Sequence, residues 1–165
     1  MERRAIQDQL RIENHCYGCG PDNPDGLQLK SYWEGEETVA LFQPRPAFMA
    51  GPRHVLNGGV IATVLDCHGI CTAVAAGYRA LGRPMGSEPL LWCATARLEV
   101  EYLRPTPLGP ELTLRAQVEA TEGRRTTVLG RLFAEGIECA RGRVVAVQVR
   151  ASWGRAPEGS HGAAG

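Results

Sequence analysis

The spacing of apolar residues divides the chain into one long apolar segment and several shorter alternating ones. Residues 59–82 read GVIATVLDCHGICTAVAAGYRALG, with apolar side chains around most of a helical circumference. Gly82 and Pro84 end this run, which predicts a buried central helix. One carboxylate, Asp66, lies in the middle of it. A buried carboxylate is costly unless it is paired, so Asp66 needs either a partner or a chemical role.

Alternating segments before and after the helix predict β-strands. The segments LQLKSYWEG and TVALFQP, joined by the turn EGEE, predict a β-hairpin. Four further segments predict antiparallel meander strands after the helix: LLWCATARLEVEYLRP, ELTLRAQVEATEG, TTVLGRLFAEG and ECARGRVVAVQVRASW. We expect an α+β fold, because an all-round apolar helix is covered only when a sheet of about six strands curls around it.

The two ends of the chain carry weaker signals. Residues 2–12 place Ile6 and Leu10 at helical spacing, which favours a short N-terminal helix. The tail, residues 155–165, is small and polar, and we expect it to be disordered. A single domain over residues 1–154 follows.

Composition excludes several classes of protein. The 165 residues are 44% hydrophobic, and Lys plus Arg and Asp plus Glu both number 18. Balanced charge gives no overall field toward nucleic acid or a membrane surface. The N-terminus lacks the apolar core of a signal peptide, and no run reaches the uninterrupted apolar length of a membrane span. We expect a cytoplasmic protein with reduced cysteines, without nucleic-acid or membrane partners.

Three motifs point to a family: HCYGCGPDNPDGL at 15–27, NGGVIATVLDCHG at 57–69 and EYLRPTPLG at 101–109. In this combination the chain resembles the hotdog-fold thioesterases, particularly the PaaI-like and thioesterase-superfamily-member-like branch that acts on acyl-coenzyme A. The resemblance extends over nearly all of residues 13–153. It implies a hotdog fold, in which an antiparallel sheet of about six strands wraps around one long central helix.

The resemblance also implies where the reaction takes place. It places the start of the helix at Gly58 and Gly59, whose amides would hold the thioester carbonyl, and puts the reactive acid at Asp66. A helix N-terminus offers unpaired N–H groups and a positive dipole end, which suit a developing oxyanion. Asp66 could deprotonate a water or attack directly. Its alternative role is to pair with a buried group such as His68, or with an arginine of a neighbouring subunit.

Several positions differ from the usual pattern of the family. Asn57 stands where a histidine is usual, and it could cap the helix or donate its amide to the substrate carbonyl. Thr95 falls where some relatives hold the water or the acid, although threonine also simply favours strands. Gly51 stands where certain relatives carry an amide side chain. His54 could reach the pocket or remain a surface residue.

Further candidates concern substrate binding. The resemblance makes the opening loop, with Asn23 in a turn, a cover for the acyl site. Guanidinium groups suit the phosphates of coenzyme A. The candidates for this contact, which could equally be solvated charges, are Arg97, Arg104, Arg124 and Arg125.

Cysteine and histidine also raise the question of a metal. The segment HCYGCG at 15–20 and the group Cys67, His68 and Cys71 could together complete a tetrahedral site. A structural zinc normally shows two paired knuckles, whereas the second group lies inside a helix. We therefore expect no metal, with Cys67 and Cys71 packing at a subunit interface. No cofactor is expected either, since coenzyme A belongs to the substrate.

The leading hypothesis is an acyl-CoA thioesterase that hydrolyses a small, medium-chain or aryl acyl-CoA. The alternative is a hotdog protein that binds acyl-CoA without turnover, which Asn57 and Gly51 favour. A hotdog dehydratase would want a histidine where Asn57 stands. Because hotdog active sites lie between subunits, the resemblance implies a homodimer or a homotetramer.

Overall fold

The computed structural model describes residues 4–10 and 12–154. The predicted tail, residues 155–165, lies outside the described residues. The elements in chain order are α1 (Ile6–Gln9), β1 (Lys30–Glu34), β2 (Glu37–Phe42), α2 (Gly58–Ala80), β3 (Trp92–Tyr102), β4 (Leu112–Glu122), β5 (Arg125–Ala134) and β6 (Ile137–Val149). Within the described residues α1 is a single turn, shorter than the predicted helix over 2–12.

The six strands form one antiparallel sheet in the order β1-β2-β4-β5-β6-β3. Helix α2 packs against five of these strands, so the predicted hotdog architecture is confirmed. The predicted meander of four strands is wrong for β3, which pairs with β6 rather than with β4. Residues 103–111 carry three prolines that lack N–H groups, and so they form a crossing connection instead of a hairpin.

Helix α2 lies close to the sheet because a glycine faces the strands at its midpoint. A Cβ at Gly69 would stand 2.7 Å from Val144 Cγ2 of β6. On either side of Gly69, Val64, Leu65 and Tyr78 are almost wholly buried. The helix ends as predicted before Gly82, whose φ of 61° lies in the left-handed region.

The expectation that no segment is long and apolar enough to span a membrane is wrong for α2. Its 23 residues are long and apolar enough by length and composition alone. Of its most apolar window, 61% is buried inside the protein. A core helix of a soluble protein meets the same criterion, and the packing of α2 against the sheet is of that kind.

The sheet-facing side of α2 also contains a polar network around His68, which is fully buried. Ser31 Oγ lies 2.8 Å from His68 Nδ1, and Nε2 lies 3.2 Å from the Thr38 carbonyl oxygen. The Thr72 hydroxyl donates to the His68 carbonyl oxygen at 2.7 Å. Burial lowers the pKa of His68 to about 4, so the imidazole is neutral at pH 7. A neutral ring with Nε2–H donating to Thr38 and Nδ1 accepting from Ser31 satisfies both nitrogens.

Candidate active site

The start of α2 is capped by Asn57. Its backbone is extended, with φ −61° and ψ 133°, and its side-chain Oδ1 accepts from the Gly59 amide at 2.8 Å. The capping role that the sequence allowed for Asn57 is therefore present. The amides of Gly58 and Val60 donate to no group among the described residues. While the cap is in place, Gly58 rather than Gly59 offers a free amide to an oxyanion.

Tyr102 holds the same helix start, and the sequence analysis did not assign it a role. Its hydroxyl donates to the Gly58 carbonyl oxygen at 2.8 Å. The Leu56 amide donates to the Thr106 carbonyl oxygen at 2.9 Å, and Val55 forms an isolated bridge with Pro107. The motif EYLRPTPLG thus positions the first turn of α2. Its tyrosine, directly before the proline-rich crossing, was the signal that could have identified this contact.

Asp66 is half-buried and accepts a hydrogen bond from Thr95, with 2.8 Å between Thr95 Oγ1 and Asp66 Oδ1. Burial raises the pKa of the Asp66 carboxyl, while the hydrogen bond from Thr95 lowers it. The structure brings these two predicted residues together from α2 and β3. It separates Asp66 from His68, whose ring nitrogens are bonded to Ser31 and Thr38 on the other side of the helix.

A cavity of about 710 Å³ opens in front of Asp66 and Thr95. It lies between the N-terminal segment, α2 and β3. Its apolar lining comes from Leu10, Ile12, Ile70, Val74, Leu90 and Trp92. Polar groups on its wall include Glu13, His15 and Arg150, none of which the sequence analysis assigned to substrate. An apolar chamber with a few convergent polar groups is typical of a small-molecule site.

The two halves of the predicted site are far apart within one chain. Because an α-helix rises by about 1.5 Å per residue, Gly58 and Asp66 lie about 12 Å apart along α2. A single thioester group cannot contact the amide of one and the carboxylate of the other at that separation. Within one chain, the free amide and the acid do not form one site.

Comparison with known proteins identifies the family. Residues 54–140 match the model of the thioesterase superfamily. The chain belongs to the thioesterase superfamily. The family resemblance read from the three motifs is confirmed. A solved thioesterase-superfamily protein from Shewanella loihica PV-4 is 39% identical, with a TM-score of 0.64 over 83% of this chain and 96% of that one.

Curated relatives of this thioesterase-superfamily chain are acyl-coenzyme A thioesterases named THEM4. The Xenopus laevis protein is 37% identical over 87 residues, which cover 53% of this chain and 33% of that protein. The Bos taurus protein is 24% identical over 127 residues, which cover 76% of this chain and 46% of that protein. The match therefore spans less than half the length of either relative.

The remaining predicted residues of this thioesterase-superfamily chain lie away from Asp66. Asn23 stabilises its own loop, with Nδ2 donating to the His15 carbonyl oxygen at 3.3 Å and Oδ1 accepting from the Asp25 amide at 3.1 Å. His54 is exposed, and its carbonyl oxygen accepts a hydrogen bond from the Leu108 amide at 2.8 Å. Gly51 is exposed, with nothing within 4 Å of a Cβ built there.

The predicted phosphate-binding arginines are all exposed. Arg97 pairs with Glu99 on β3. Arg124 lines a shallow groove together with Arg150 and Trp153. Arg150 and Trp153 also line the cavity in front of Asp66, so this groove leads into the cavity. Of the predicted arginines, Arg124 is therefore the one placed beside the entrance.

Proposed function

We propose that this protein hydrolyses the thioester bond of an acyl-CoA. The observation that carries the proposal is the Asp66 carboxylate, held by Thr95 at the wall of an apolar cavity. Membership of the thioesterase superfamily and the similarity to acyl-coenzyme A thioesterases support it.

The active site is shared between two copies of the chain. Strand β3 has eleven residues and pairs on one side with β6, while no described strand pairs with its outer edge. A long unpaired edge is a template for another strand. Two-fold pairing of two β3 edges sets the two copies of α2 antiparallel. The free amide at Gly58 of one copy then approaches Asp66 of the other, which removes the separation found within one chain. We therefore propose a homodimer.

The reaction uses the two copies in separate roles. Asp66 takes a proton from a water molecule, and the water oxygen forms a bond to the thioester carbonyl carbon. The carbonyl oxygen becomes an oxyanion, to which the Gly58 amide of the other copy donates. The carbonyl then re-forms, the carbon–sulfur bond breaks, and the thiolate of coenzyme A takes the proton from Asp66. The products are the free carboxylic acid and the coenzyme A thiol.

The environment of Asp66 suits a general base. A carboxylate whose pKa is raised toward the working pH is a stronger proton acceptor than an ordinary exposed aspartate. Burial raises the pKa of Asp66 in this way, and Thr95 limits the rise by donating to the ionised form. Thr95 also fixes the carboxylate in one orientation toward the cavity.

The cavity and its entrance support an acyl-CoA as the substrate. The apolar lining, with Ile70 and Val74 from α2 and Trp92 from β3, suits a medium-chain or aryl acyl group. Arg124 and Arg150 at the adjoining groove are placed to meet phosphates of coenzyme A. We propose a cytoplasmic location, where unpaired thiols are the rule, because all six cysteines are free.

A panel of short, medium-chain, long and aromatic acyl-CoAs, assayed by release of free thiol, tests this function. We expect turnover of at least one substrate class by the parent protein. Asp66→Asn should lower kcat/KM by about 10²- to 10⁴-fold, because it removes the base. The control Asp25→Asn, at an exposed loop carboxylate, should leave it unchanged. Unaltered turnover by Asp66→Asn contradicts the mechanism. Tight coenzyme A binding without turnover of any substrate favours the binding protein instead.

A further inference from the structure

Four of the six cysteines meet between α2 and the N-terminal loop, residues 12–29, which precedes β1. Cys16 and Cys19 lie on the loop, and Cys67 and Cys71 lie on the helix. The Sγ atoms of Cys16 and Cys67 are 3.6 Å apart, and those of Cys19 and Cys71 are 4.0 Å apart. The sulfur atoms of Cys16, Cys19 and Cys67 all lie within 4.8 Å of one another.

These separations, which two thiols in contact also show, agree with those of a metal–thiolate site. With zinc–sulfur bonds of about 2.3 Å, the sulfur atoms of a tetrahedral site lie about 3.8 Å from one another. A disulfide would require about 2.05 Å between two sulfur atoms. The two Sγ pairs, at 3.6 and 4.0 Å, lie close to this tetrahedral separation.

Local structure brings the thiols of Cys16, Cys19 and Cys67 together, and Cys71 adjoins this group at Cys19. On the loop, the Gly20 amide donates to the Cys16 carbonyl oxygen at 2.8 Å, which closes a turn over the Cys-x-x-Cys segment. On the helix, Cys67 and Cys71 are four residues apart and share one face. Cysteines with two to four residues between them are the usual ligand pairs of zinc sites. The loop supplies one such pair and the helix supplies the other.

Gly18, between the two loop cysteines, permits this approach. A Cβ at that position would stand 2.2 Å from Cys67 Sγ and 2.9 Å from Thr63 Cγ2. Only a glycine lets the loop lie against the helix at this point. The loop is also held from its other side, since the Leu29 amide donates to the Gly18 carbonyl oxygen at 3.0 Å.

The neighbouring histidines are committed elsewhere. His15 Nε2 lies 2.7 Å from Glu13 Oε1, and its Nδ1 lies 3.1 Å from the Asp22 carbonyl oxygen. His68 is bonded within the polar network on the other side of α2. The candidate ligand set is therefore four sulfur atoms, which selects soft, thiophilic cations.

We propose that Cys16, Cys19, Cys67 and Cys71 bind one thiophilic divalent cation, with zinc as the natural occupant, that fastens the N-terminal loop to α2. Three of the four thiols are buried, so the site is closed, as in a structural zinc site. All four line the same cavity as Asp66. The cation would thus fix one wall of the acyl cavity without touching the reacting atoms. From the sequence, packing is the favoured role of Cys67 and Cys71, and a tetrahedral metal site is the alternative.

Metal content tests the proposal on the full chain, purified under reducing conditions. We expect about one zinc per chain by elemental mass spectrometry, or after titration of the reduced protein with Zn²⁺. Co²⁺ in its place should give the sulfur-to-cobalt charge-transfer and d–d absorption of a tetrahedral thiolate site. Cys16→Ser, at an exposed position, and Cys19→Ser should each lower the Zn²⁺ affinity at least about tenfold, because each removes a direct ligand and even the loss of an outer-shell partner costs about 10- to 100-fold. Cys93→Ser, at a cavity cysteine outside the cluster, should retain full binding.

Two results would overturn the proposal. One is reduced parent protein that binds neither Zn²⁺ nor Co²⁺, or that binds them equally well after Cys16→Ser and Cys19→Ser. The other is a protein mass lower by two hydrogen atoms than that of the reduced chain, together with a peptide in which a disulfide links Cys16 to Cys67. That result would show that these two thiols form a disulfide and do not bind a metal. Neither readout depends on turnover, so failure of the metal site and failure of the thioesterase reaction are distinguishable.

Discussion

Two ionisable residues of α2 are only two positions apart in the chain, yet they lie on opposite sides of the helix in opposite environments. Asp66 is half-buried beside a cavity, where it accepts a hydrogen bond from Thr95. His68 is fully buried against the sheet, and both of its ring nitrogens have partners. A fully satisfied buried group has no remaining capacity to contact a ligand, whereas a partly satisfied carboxylate at a cavity does. The difference favours the proposed catalytic role for Asp66 and a stabilising role for His68.

Acid stability gives the largest expected difference between the two sides. Because the pKa of His68 is lowered from 6.5 to about 4, the unfolded chain binds a proton below pH 6.5 that the folded protein excludes. Stability should therefore fall by about 3 kcal/mol as the pH drops from 6.5 to 4. The raised pKa of Asp66 acts in the opposite direction, since the folded form takes up its proton first.

Urea unfolding across this pH range measures the effect. In His68→Gln, which keeps a donor for the Thr38 carbonyl oxygen, the acid loss should shrink by most of that amount. Asp66→Asn is the matched control and should retain the loss. If His68→Gln loses as much stability as the parent between pH 6.5 and 4, protonation of His68 is not the cause of that loss.

Asn57 gives the next largest effect, at the start of α2. Asn57→Ala should lower the free energy of unfolding by about 1 kcal/mol, because the Gly59 amide loses its cap. Asn57→Asp should keep the stability, since a carboxylate oxygen accepts the same bond. Thermal unfolding compares the three proteins. Equal stability of Asn57→Ala and the parent would mean that the cap contributes nothing to α2.

Thr95 gives the smallest effect and concerns the cavity side alone. Thr95→Val removes the hydrogen bond that lowers the pKa of Asp66, so the acid limb of kcat/KM should move to higher pH. Thr95→Ser keeps a hydroxyl and should restore the position of the parent. The pH dependence of kcat/KM for the three proteins measures this shift. An acid limb at the same pH in all three proteins would mean that Thr95 does not influence the pKa of Asp66.

The sequence predicted the long helix and the strands of this molecule better than it predicted which strands pair. Hydrophobic periodicity located α2 and the six strands because it reflects which side chains face the core. It missed the pairing of β3 with β6, which depends on where residues 103–111 cross. The contact between Asp66 and Thr95 was proposed from the position of Thr95 relative to a motif. The sequence raised a tetrahedral site across the two cysteine segments but favoured packing, because the close approach of the loop to α2 at Gly18 leaves no signal in residue spacing.

The central claim is that Asp66 and the start of α2 act from two different chains. Complementation between two inactive variants measures it most directly. Gly58→Pro removes the free amide at the first helical position, where proline is tolerated, and the extended backbone of Asn57 suits a following proline. Gly58→Ala, which keeps the amide, is its control. Asp66→Asn removes the acid.

In an equimolar mixture with free chain exchange, half of the dimers are mixed, and each mixed dimer retains one intact site. We expect each variant alone to lose at least about 10²-fold in kcat, and the mixture to recover about a quarter of the parent activity. A mixture that forms mixed dimers yet stays as inactive as its two components would contradict the account.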